Sequence, residues 1–294
     1  MRSGFVSIIG RPNVGKSTLL NTLISEHIAI VSSKPGTTRN IIQGIYNDEE
    51  SQIVFVDTPG IAKPNNKLER VLNKQANQMI RDIDVILFMV DAYSGLGKGD
   101  RIIMQSLKTC DSPVILVINK IDAITNNDLI LRINDYKDLF PFAEIVPVSA
   151  LVKDNTDHLI EVVKKYLTND VRYFETGIKT SNNKFFMISE FVREKLFEVT
   201  EKEIPYRLTC LVSHFEEDNN MARIVVDIIV DKDSLKKIII GKKGLRLKEV
   251  GMLARVDIEH LLGKGVYLEL YVRTIKNWQN KEKNLDELGF KENA

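Results

Sequence analysis

Over the first 168 residues, short continuous runs of apolar residues alternate with segments in which apolar residues recur at helical spacing. The continuous runs have the length of strands that are buried on both faces, and they cover residues 5–9, 53–56, 85–90, 114–118 and 145–148. The segments with helical spacing cover residues 17–24, 68–79, 101–107, 129–139 and 158–167. Strands that alternate with helices predict an α/β fold with a mostly parallel sheet.

The pattern changes after this region. A polar stretch follows, and we interpret residues 171–184 as a linker between a first domain, 1–170, and a second domain, 185–294. In the second domain the predicted elements are a helix, two strands, two helices and a strand, at residues 185–199, 208–215, 222–230, 235–240, 245–262 and 266–273. This α-β-β-α-α-β order predicts a smaller α+β domain with a core of its own.

Composition mainly excludes protein classes. The chain has 294 residues, 41 Lys and Arg against 40 Asp and Glu, and 44% hydrophobic residues, which is ordinary for a globular protein and excludes a disordered chain. Two cysteines, Cys110 and Cys210, form neither a disulfide framework nor a CxxC metal site, so we expect a reducing compartment, the cytoplasm. The apolar run at residues 5–9 is too short for a signal peptide, and no run approaches the roughly 20 residues of a membrane helix.

A phosphate-binding loop is predicted between the first strand and the first helix. The motif G-x4-G-K-[ST] is matched by Gly10, Arg11, Pro12, Asn13, Val14, Gly15, Lys16 and Ser17. Glycines let backbone N–H groups turn towards phosphate oxygens, and the helix N-terminus adds further donors. We expect Lys16 to reach the β- and γ-phosphates and the Ser17 hydroxyl to bind Mg²⁺.

A second motif follows the strand at residues 53–56. It consists of Asp57, Thr58, Pro59 and Gly60, with Ile61 directly after it. A carboxylate at the end of a strand that faces the phosphate loop can hold Mg²⁺, and Gly60 leaves room for its N–H group to approach a γ-phosphate. Ile61 stands where Ras-like proteins carry a water-orienting Gln, so we expect slow intrinsic hydrolysis.

Between the first helix and this strand lies a segment with two adjacent threonines. A threonine there can close over Mg²⁺ and the γ-phosphate. We prefer Thr38 for this role and keep Thr37 as the alternative.

A third motif, Asn119-Lys120-Ile121-Asp122, follows the strand at residues 114–118. The Asp122 carboxylate can accept two hydrogen bonds from the N1–H and N2 groups of guanine, which adenine does not offer, and the Lys120 stem can lie over the base. The backbone of Ser149 and Ala150, after the last strand, can meet guanine O6. The three motifs together predict GTP or GDP as the ligand.

In the second domain, the loop Gly241-Lys242-Lys243-Gly244 joins two helices. Such a tight loop can clamp a nucleic-acid backbone, and residues 232–248 contain seven Lys or Arg but one acid, Asp233. We therefore predict an RNA-binding segment in which apolar residues contact bases and the loop contacts phosphate; it comprises Ile239, Ile240, Gly241, Lys242, Lys243, Gly244, Arg246 and Lys248.

These motifs resemble the Era family of GTPases. The first domain carries GRPNVGKST, GTTR, DTPG, NKID and SAL in that order, and the second carries IIIGKKGLRLKEVG, FMISEFVREKLF, EIPYR, LLGKGVYLELYV and a terminal LGF. The resemblance covers nearly the whole chain and implies a P-loop GTPase domain followed by a type II KH domain. One departure is Gly36, where the family usually carries Gln.

The resemblance also implies partners and cofactors. It implies a monomeric GTPase with Mg²⁺ that binds 16S ribosomal RNA near its 3′ end and assists maturation of the 30S subunit, with loose peripheral membrane association in some members. It further implies that Asn13 holds a K⁺ ion beside the phosphates.

Two other functions fit parts of the sequence. One is an RNA-binding module whose GTP site is structural and barely hydrolyses. The other is a metabolic P-loop kinase, which is disfavoured because the DTPG and NKID motifs have no role there.

Overall fold

The computed structural model describes residues 1–32, 34, 38–58, 64, 66–79 and 83–290, with residues 76–79 described by their backbone alone. Contacts divide the chain into two compact units. The first unit consists of Met1–Lys63 and Leu72–Ser181, and the second of Pro64–Val71 and Asn182–Ala294.

The first unit is built on a six-stranded sheet with the order β2-β3-β1-β4-β5-β6. Its strands are β1 (Arg2–Gly10), β2 (Ile42–Asn47), β3 (Ser51–Asp57), β4 (Val85–Asp91), β5 (Val114–Asn119) and β6 (Glu144–Pro147). All neighbouring strands pair in parallel except β2, which runs antiparallel to β3. The predicted mostly parallel α/β sheet is therefore confirmed, whereas β2 was not predicted.

Five helices accompany this sheet: α1 (Lys16–Ile24), α2 (Lys67–Met79, of which Leu72 onward belongs to the first unit), α3 (Lys98–Leu107), α4 (Asn126–Lys137) and α5 (Thr156–Tyr166). Every residue of β3, β4 and β5 is buried, as expected for parallel strands that are covered on both faces. The core beside β4 includes Phe88 of the sheet, Met104 of α3 and Tyr136 of α4.

Strand register decides which loops meet. Gly10 at the end of β1 lies opposite Met89 of β4, and Asp91 at the end of β4 lies opposite Asn119 at the end of β5. The carboxyl ends of β1, β4 and β5 therefore share one edge of the sheet, where open α/β folds bind ligands.

The segment that was predicted as a linker runs along the first unit. The Val171 N–H group donates to the Ser3 hydroxyl at 3.1 Å, and a bridge joins Gly44 to Thr180. The Gln52 side chain accepts hydrogen bonds from the backbone N–H groups of residues 173 and 174. The first unit extends to Ser181. The domain limits of 1–170 and 185–294 stay a prediction.

The second unit contains α6 (Lys184–Val199), β7 (Leu208–Glu217), β8 (Met221–Val230), α7 (Asp233–Ile240), α8 (Leu245–Leu262), β9 (Gly265–Thr274) and α9 (Glu282–Glu287). The order from α6 to β9 is the predicted α-β-β-α-α-β, and α9 is an addition. In the three-stranded sheet β8 lies in the middle, antiparallel to β7 and parallel to β9. Strand β9 is therefore an edge strand. Among the described residues, no helix combines the length and the apolarity that crossing a bilayer requires.

Candidate nucleotide site and nucleic-acid groove

The loop between β1 and α1 has the backbone that anion binding requires. Asn13 and Gly15 adopt positive φ angles of 65° and 104°. A Cβ atom at residue 15 would lie 2.3 Å from Nδ2 of Asn119, and one at residue 10 would lie 2.3 Å from the Met89 carbonyl oxygen, so both positions require glycine. Among the described residues no side chain caps the start of α1, which leaves its first N–H groups available to an anion.

Lys16 is held by the loop itself. Its side chain is buried, and Nζ donates hydrogen bonds to the carbonyl oxygens of Gly10 at 3.2 Å and Arg11 at 3.1 Å. Burial lowers the pKa of the Lys16 ammonium, and the nearby Asp57 carboxylate partly opposes this shift. The ammonium is thus oriented by backbone carbonyls before a phosphate arrives.

Ser17, Thr38 and Asp57 form an oxygen cluster at the start of α1. The Ser17 hydroxyl donates to Oδ2 of Asp57 at 2.7 Å and lies 3.1 Å from the Thr38 hydroxyl. Asp57 is fully buried, and its Oδ1 has no hydrogen-bond partner among the described residues. Burial raises the pKa of the Asp57 carboxyl group, although Lys16, Ser17 and Thr38 act in the opposite direction. A buried carboxylate with an unpartnered oxygen, beside two hydroxyl groups, fits Mg²⁺, which takes oxygen ligands.

Of the predicted residues that directly follow Asp57, the structure describes one. Thr58 is buried directly after Asp57. The predicted residues Pro59, Gly60 and Ile61, together with Gly36 and the alternative Mg²⁺ ligand Thr37, lie outside the described residues.

The Arg11 side chain has a different environment from the one that its place in the motif suggests. Its guanidinium group donates to Oδ1 of Asp100, in the first turn of α3, at 2.8 Å. It also donates to the carbonyl oxygen of Gly95, between β4 and α3, at 2.9 Å. Arg11 therefore contributes its backbone to the loop, while its side chain ties the loop to α3.

Asn119 connects the phosphate loop to the predicted base-binding segments. Its Nδ2 donates to the Val14 carbonyl oxygen at 2.8 Å, and its Oδ1 accepts from the Ala150 backbone N–H group at 2.9 Å. Since both ends of this buried amide bind protein groups, Asn119 holds the two loops at a set distance.

Lys120 makes a second connection of this kind. Its Nζ donates to Oδ2 of Asp91 and to the Asn13 carbonyl oxygen, each at 2.8 Å. Burial alone would raise the pKa of Asp91, but the hydrogen bond from Lys120 and those from the N–H groups of Ser94 and Tyr93 hold it below its usual value. The Lys120 stem is thereby extended along the edge of the loop.

Asp122 lies beside Ser149. The buried Ser149 hydroxyl donates a short hydrogen bond to Oδ1 of Asp122, whose carboxylate group is exposed. An exposed carboxylate that is fixed on one side can receive the paired donors of a guanine base.

One wall of the site, formed by residues 30–32, was not predicted from the sequence motifs. A pocket at the phosphate loop is lined by Pro12, Asn13, Gly15, Lys16, Ser17, Thr18, Ile30, Val31, Ser32 and Thr38. The segment 30–32 carries no motif, and the two residues before it are anchored by Asn21 of α1. The Asn21 side chain accepts from the Ile28 and Ala29 N–H groups at 3.0 and 2.8 Å.

In the second unit, the loop between α7 and α8 makes a tight turn. Gly241, Lys243 and Gly244 have positive φ angles of 73°, 51° and 77°, and a Cβ at residue 241 would lie 2.8 Å from Cβ of Arg246. Arg246 donates to the Ile238 carbonyl oxygen at 2.8 Å and so ties the two helices together. Lys242, Lys243 and Lys248 are exposed.

Beside this turn lies a groove of about 350 Å³ between α8 and the edge strand β9. Its lining combines apolar residues with two cations: Gly244, Leu247, Lys248, Gly251, Met252, Arg255, Val266, Tyr267, Leu268 and Leu270. An apolar floor with cations along one side is the arrangement that binds unstacked bases and their phosphates.

Burial changes the assignment of one predicted RNA contact. Ile239 is completely buried, so we correct its assignment from an RNA contact to a core residue of the second unit. Ile240 is half-buried. The floor is instead supplied by α8 and β9, and the sequence signal that could have identified it is Gly251, a glycine within the predicted helix 245–262.

Both units match known families. A family model described as "50S ribosome-binding GTPase" matches residues 5–120, and a KH domain model matches residues 203–279. GTPase Era of Geobacter metallireducens is 48% identical over 291 residues, which is 98% of this chain and 98% of that protein.

Solved Era structures superimpose on nearly the whole chain. Aquifex aeolicus Era, as a variant bound to GDP·AlF4⁻, superimposes with a TM-score of 0.96 at 40% identity over 99% of this chain and all of that chain. An Era structure in complex with MgGDPNP and nucleotides 1506–1542 of 16S ribosomal RNA superimposes with a TM-score of 0.96 at 40% identity, covering 99% of each chain.

Proposed function

This chain belongs to the Era family of GTPases, and we propose that it binds 16S ribosomal RNA near its 3′ end under the control of GTP and assists maturation of the 30S subunit. The observation that carries the proposal is the groove between α8 and β9, which opens beside the basic turn 241–244. A structure with a TM-score of 0.96 to this chain holds nucleotides 1506–1542 of that RNA.

The chain hydrolyses GTP as a member of this family. We assign Lys16 to the β- and γ-phosphates, Asp122 to the guanine edge and the Lys120 stem to the base plane. Ser17, Thr38 and Asp57 would hold Mg²⁺, which neutralises phosphate charge when it is bound. Support for this assignment is the buried Oδ1 of Asp57, which lacks a hydrogen-bond partner among the described residues.

We further propose that Asn13 supports a K⁺ ion beside the phosphates. Resemblance to the family also supports a cytoplasmic monomer with peripheral contact to the membrane. The alternative of an RNA-binding module with a structural GTP site is not favoured, because the chain belongs to a family of GTPases.

The RNA proposal is tested by placing negative charge in the turn. In the double variant Lys242→Asp, Lys243→Asp, phosphate contacts become repulsive, so affinity for an RNA of nucleotides 1506–1542 should collapse. The dependence of log K on log salt should lose about one unit per lost contact. Filter binding at several salt concentrations measures both quantities, and GTP affinity should stay within about twofold, the change expected when no contact is lost.

A matched control carries the same charge change elsewhere in the second unit. Lys281 and Lys283 are exposed at α9, and replacing both by Asp should leave RNA binding nearly unchanged. Equal losses of RNA affinity in the two double variants would show that the effect comes from net charge alone. A wild-type salt dependence in Lys242→Asp, Lys243→Asp would show that 241–244 is an ordinary turn that does not contact phosphate.

A further inference from the structure

Asp100 is a fully buried carboxylate that lies outside every motif of the nucleotide site. It belongs to the first turn of α3 and accepts three hydrogen bonds. These come from Nε of Arg11 at 2.8 Å, from the Gly97 backbone N–H group at 2.7 Å and from the Tyr136 hydroxyl at 3.2 Å. A buried carboxylate with a cationic partner and hydrogen bonds to both of its oxygens is held in one orientation.

Arg11 transmits this orientation to the phosphate loop. Its guanidinium group is bound to Asp100, and its carbonyl oxygen accepts a hydrogen bond from Nζ of Lys16 at 3.1 Å. The Arg11 stem also packs on Gly99, where a Cβ atom would come within 2.8 Å of Cδ of Arg11. The residue that holds the Lys16 ammonium is therefore itself locked to α3.

A second ion pair holds the same loop two residues further on. Lys120 bridges Oδ2 of Asp91 and the carbonyl oxygen of Asn13. Asp91 also accepts from the N–H groups of Tyr93 and Ser94, which fixes the start of the segment from β4 to α3. Asp91 and Asp100, on either side of this segment, thus hold residues 13 and 11 of the phosphate loop through Lys120 and Arg11.

We propose that Asp100 is a positioning residue for nucleotide binding and GTP hydrolysis, because through Arg11 it fixes the carbonyl oxygen that orients Lys16 towards the phosphates. The inference rests on the role proposed above for Lys16. Asp100 itself touches no phosphate, and it acts by keeping the loop in the geometry that receives one. A misplacement of about 1 Å in such a site can cost about 100-fold in rate.

The test begins with Asp100→Asn. The amide keeps the size of the side chain and can accept from Gly97, but it has no charge for Arg11. Affinity for GDP and GTP, measured with a fluorescent nucleotide, should fall at least about tenfold, as expected for the loss of a charge-assisted bond. The kcat/KM for GTP should fall by a similar or larger factor, and the ³¹P resonance of the β-phosphate of bound GDP should shift.

Two further variants separate a positioning role of Asp100 from a general loss of stability. Tyr136→Phe removes another hydrogen bond to the same carboxylate but leaves the Arg11 pair, so it should lower thermal stability without changing nucleotide affinity. Arg11→Ala should reproduce the loss seen with Asp100→Asn, and the double variant should be no worse than either single one. Because the Arg11 side chain is 26% exposed, this variant carries the test if Asp100→Asn does not fold.

Three results overturn the inference: wild-type affinity and ³¹P shift in Asp100→Asn or Arg11→Ala, additive losses in the double variant, or an equal loss of affinity in Tyr136→Phe. Lys16→Ala distinguishes failure of the positioning role of Asp100 from failure of the phosphate-binding role of Lys16. If it loses GDP affinity while Asp100→Asn does not, the inference alone fails. If it keeps full affinity, the role of Lys16 fails as well.

Discussion

Asn119 joins the two halves of the nucleotide site, so Asn119→Ala is the most direct test of how the site is held together. The side chain is 2% exposed and makes two hydrogen bonds, with the Val14 carbonyl oxygen at 2.8 Å and the Ala150 N–H group at 2.9 Å. Truncation leaves both buried partners unsatisfied, at a cost of about 1–3 kcal/mol each. The expected loss in the free energy of unfolding is therefore about 2–6 kcal/mol.

Thermal unfolding of the nucleotide-free protein measures this loss. For a unit of this size, 1 kcal/mol corresponds to about 2–4 °C, so Tm of the first unit should fall by about 4–24 °C. Affinity for GDP should fall as well, by about tenfold or more, because the phosphate loop and the 149–150 segment can then move independently.

A matched control is Asn126→Ala. Asn126 is exposed at the start of α4, and its truncation should change the free energy of unfolding by no more than about 0.5 kcal/mol. An Asn119→Ala protein with the wild-type Tm and wild-type GDP affinity would refute the view that Asn119 connects the two loops.

Three further predictions concern base choice, salt and pH. Asp122→Asn should shift preference from guanine to xanthine nucleotides, since the amide no longer offers two acceptors; competition between GTP and XTP measures it, and an unchanged preference for GTP would contradict the role of Asp122. GTP turnover should be faster in KCl than in NaCl at equal ionic strength, and Asn13→Ala should erase the difference; equal wild-type rates would remove the K⁺ proposal. Burial alone would raise the pKa of Asp48, but hydrogen bonds from Lys164 and Ser51 and from the N–H groups of residues 50 and 51 lower it to about 2. Because this folded-state pKa lies below the unfolded value of about 3.9, the stabilisation is present above about pH 4 and lost towards pH 2. The urea midpoints of wild type and Asp48→Asn should therefore differ at pH 7 and converge as the pH falls towards about 2. A constant difference would contradict the assignment.

Elements with strong local periodicity were predictable from the sequence. Buried parallel strands such as β4 and β5 are continuous apolar runs, and α8 repeats apolar residues at helical spacing, so type and position agree with the structure. Strand β2 was missed because its residues, IQGIYN, form no continuous run. It pairs antiparallel with β3 at the edge of the sheet, where a mixed pattern is sufficient.

The contiguous binding motifs were also determined by the sequence itself. The phosphate loop needs glycine and a positive φ at set positions next to a helix N-terminus, and a stretch of eight residues, 10–17, specifies all of this. The turn 241–244 is likewise local, because its glycines and lysines are neighbours in the chain.

Tertiary structure alone decided which distant groups hold these motifs. The Arg11 guanidinium meets Asp100 across 89 residues, and Asn119 meets Val14 across 105. These partners come together because β1, β4 and β5 are neighbours in the sheet, an order that hydrophobic periodicity does not encode. The burial of Ile239 and the groove along β9 have the same origin. A local pattern specifies that a residue lies on a helix or at the end of a strand, whereas its contacts depend on which elements the fold packs beside it.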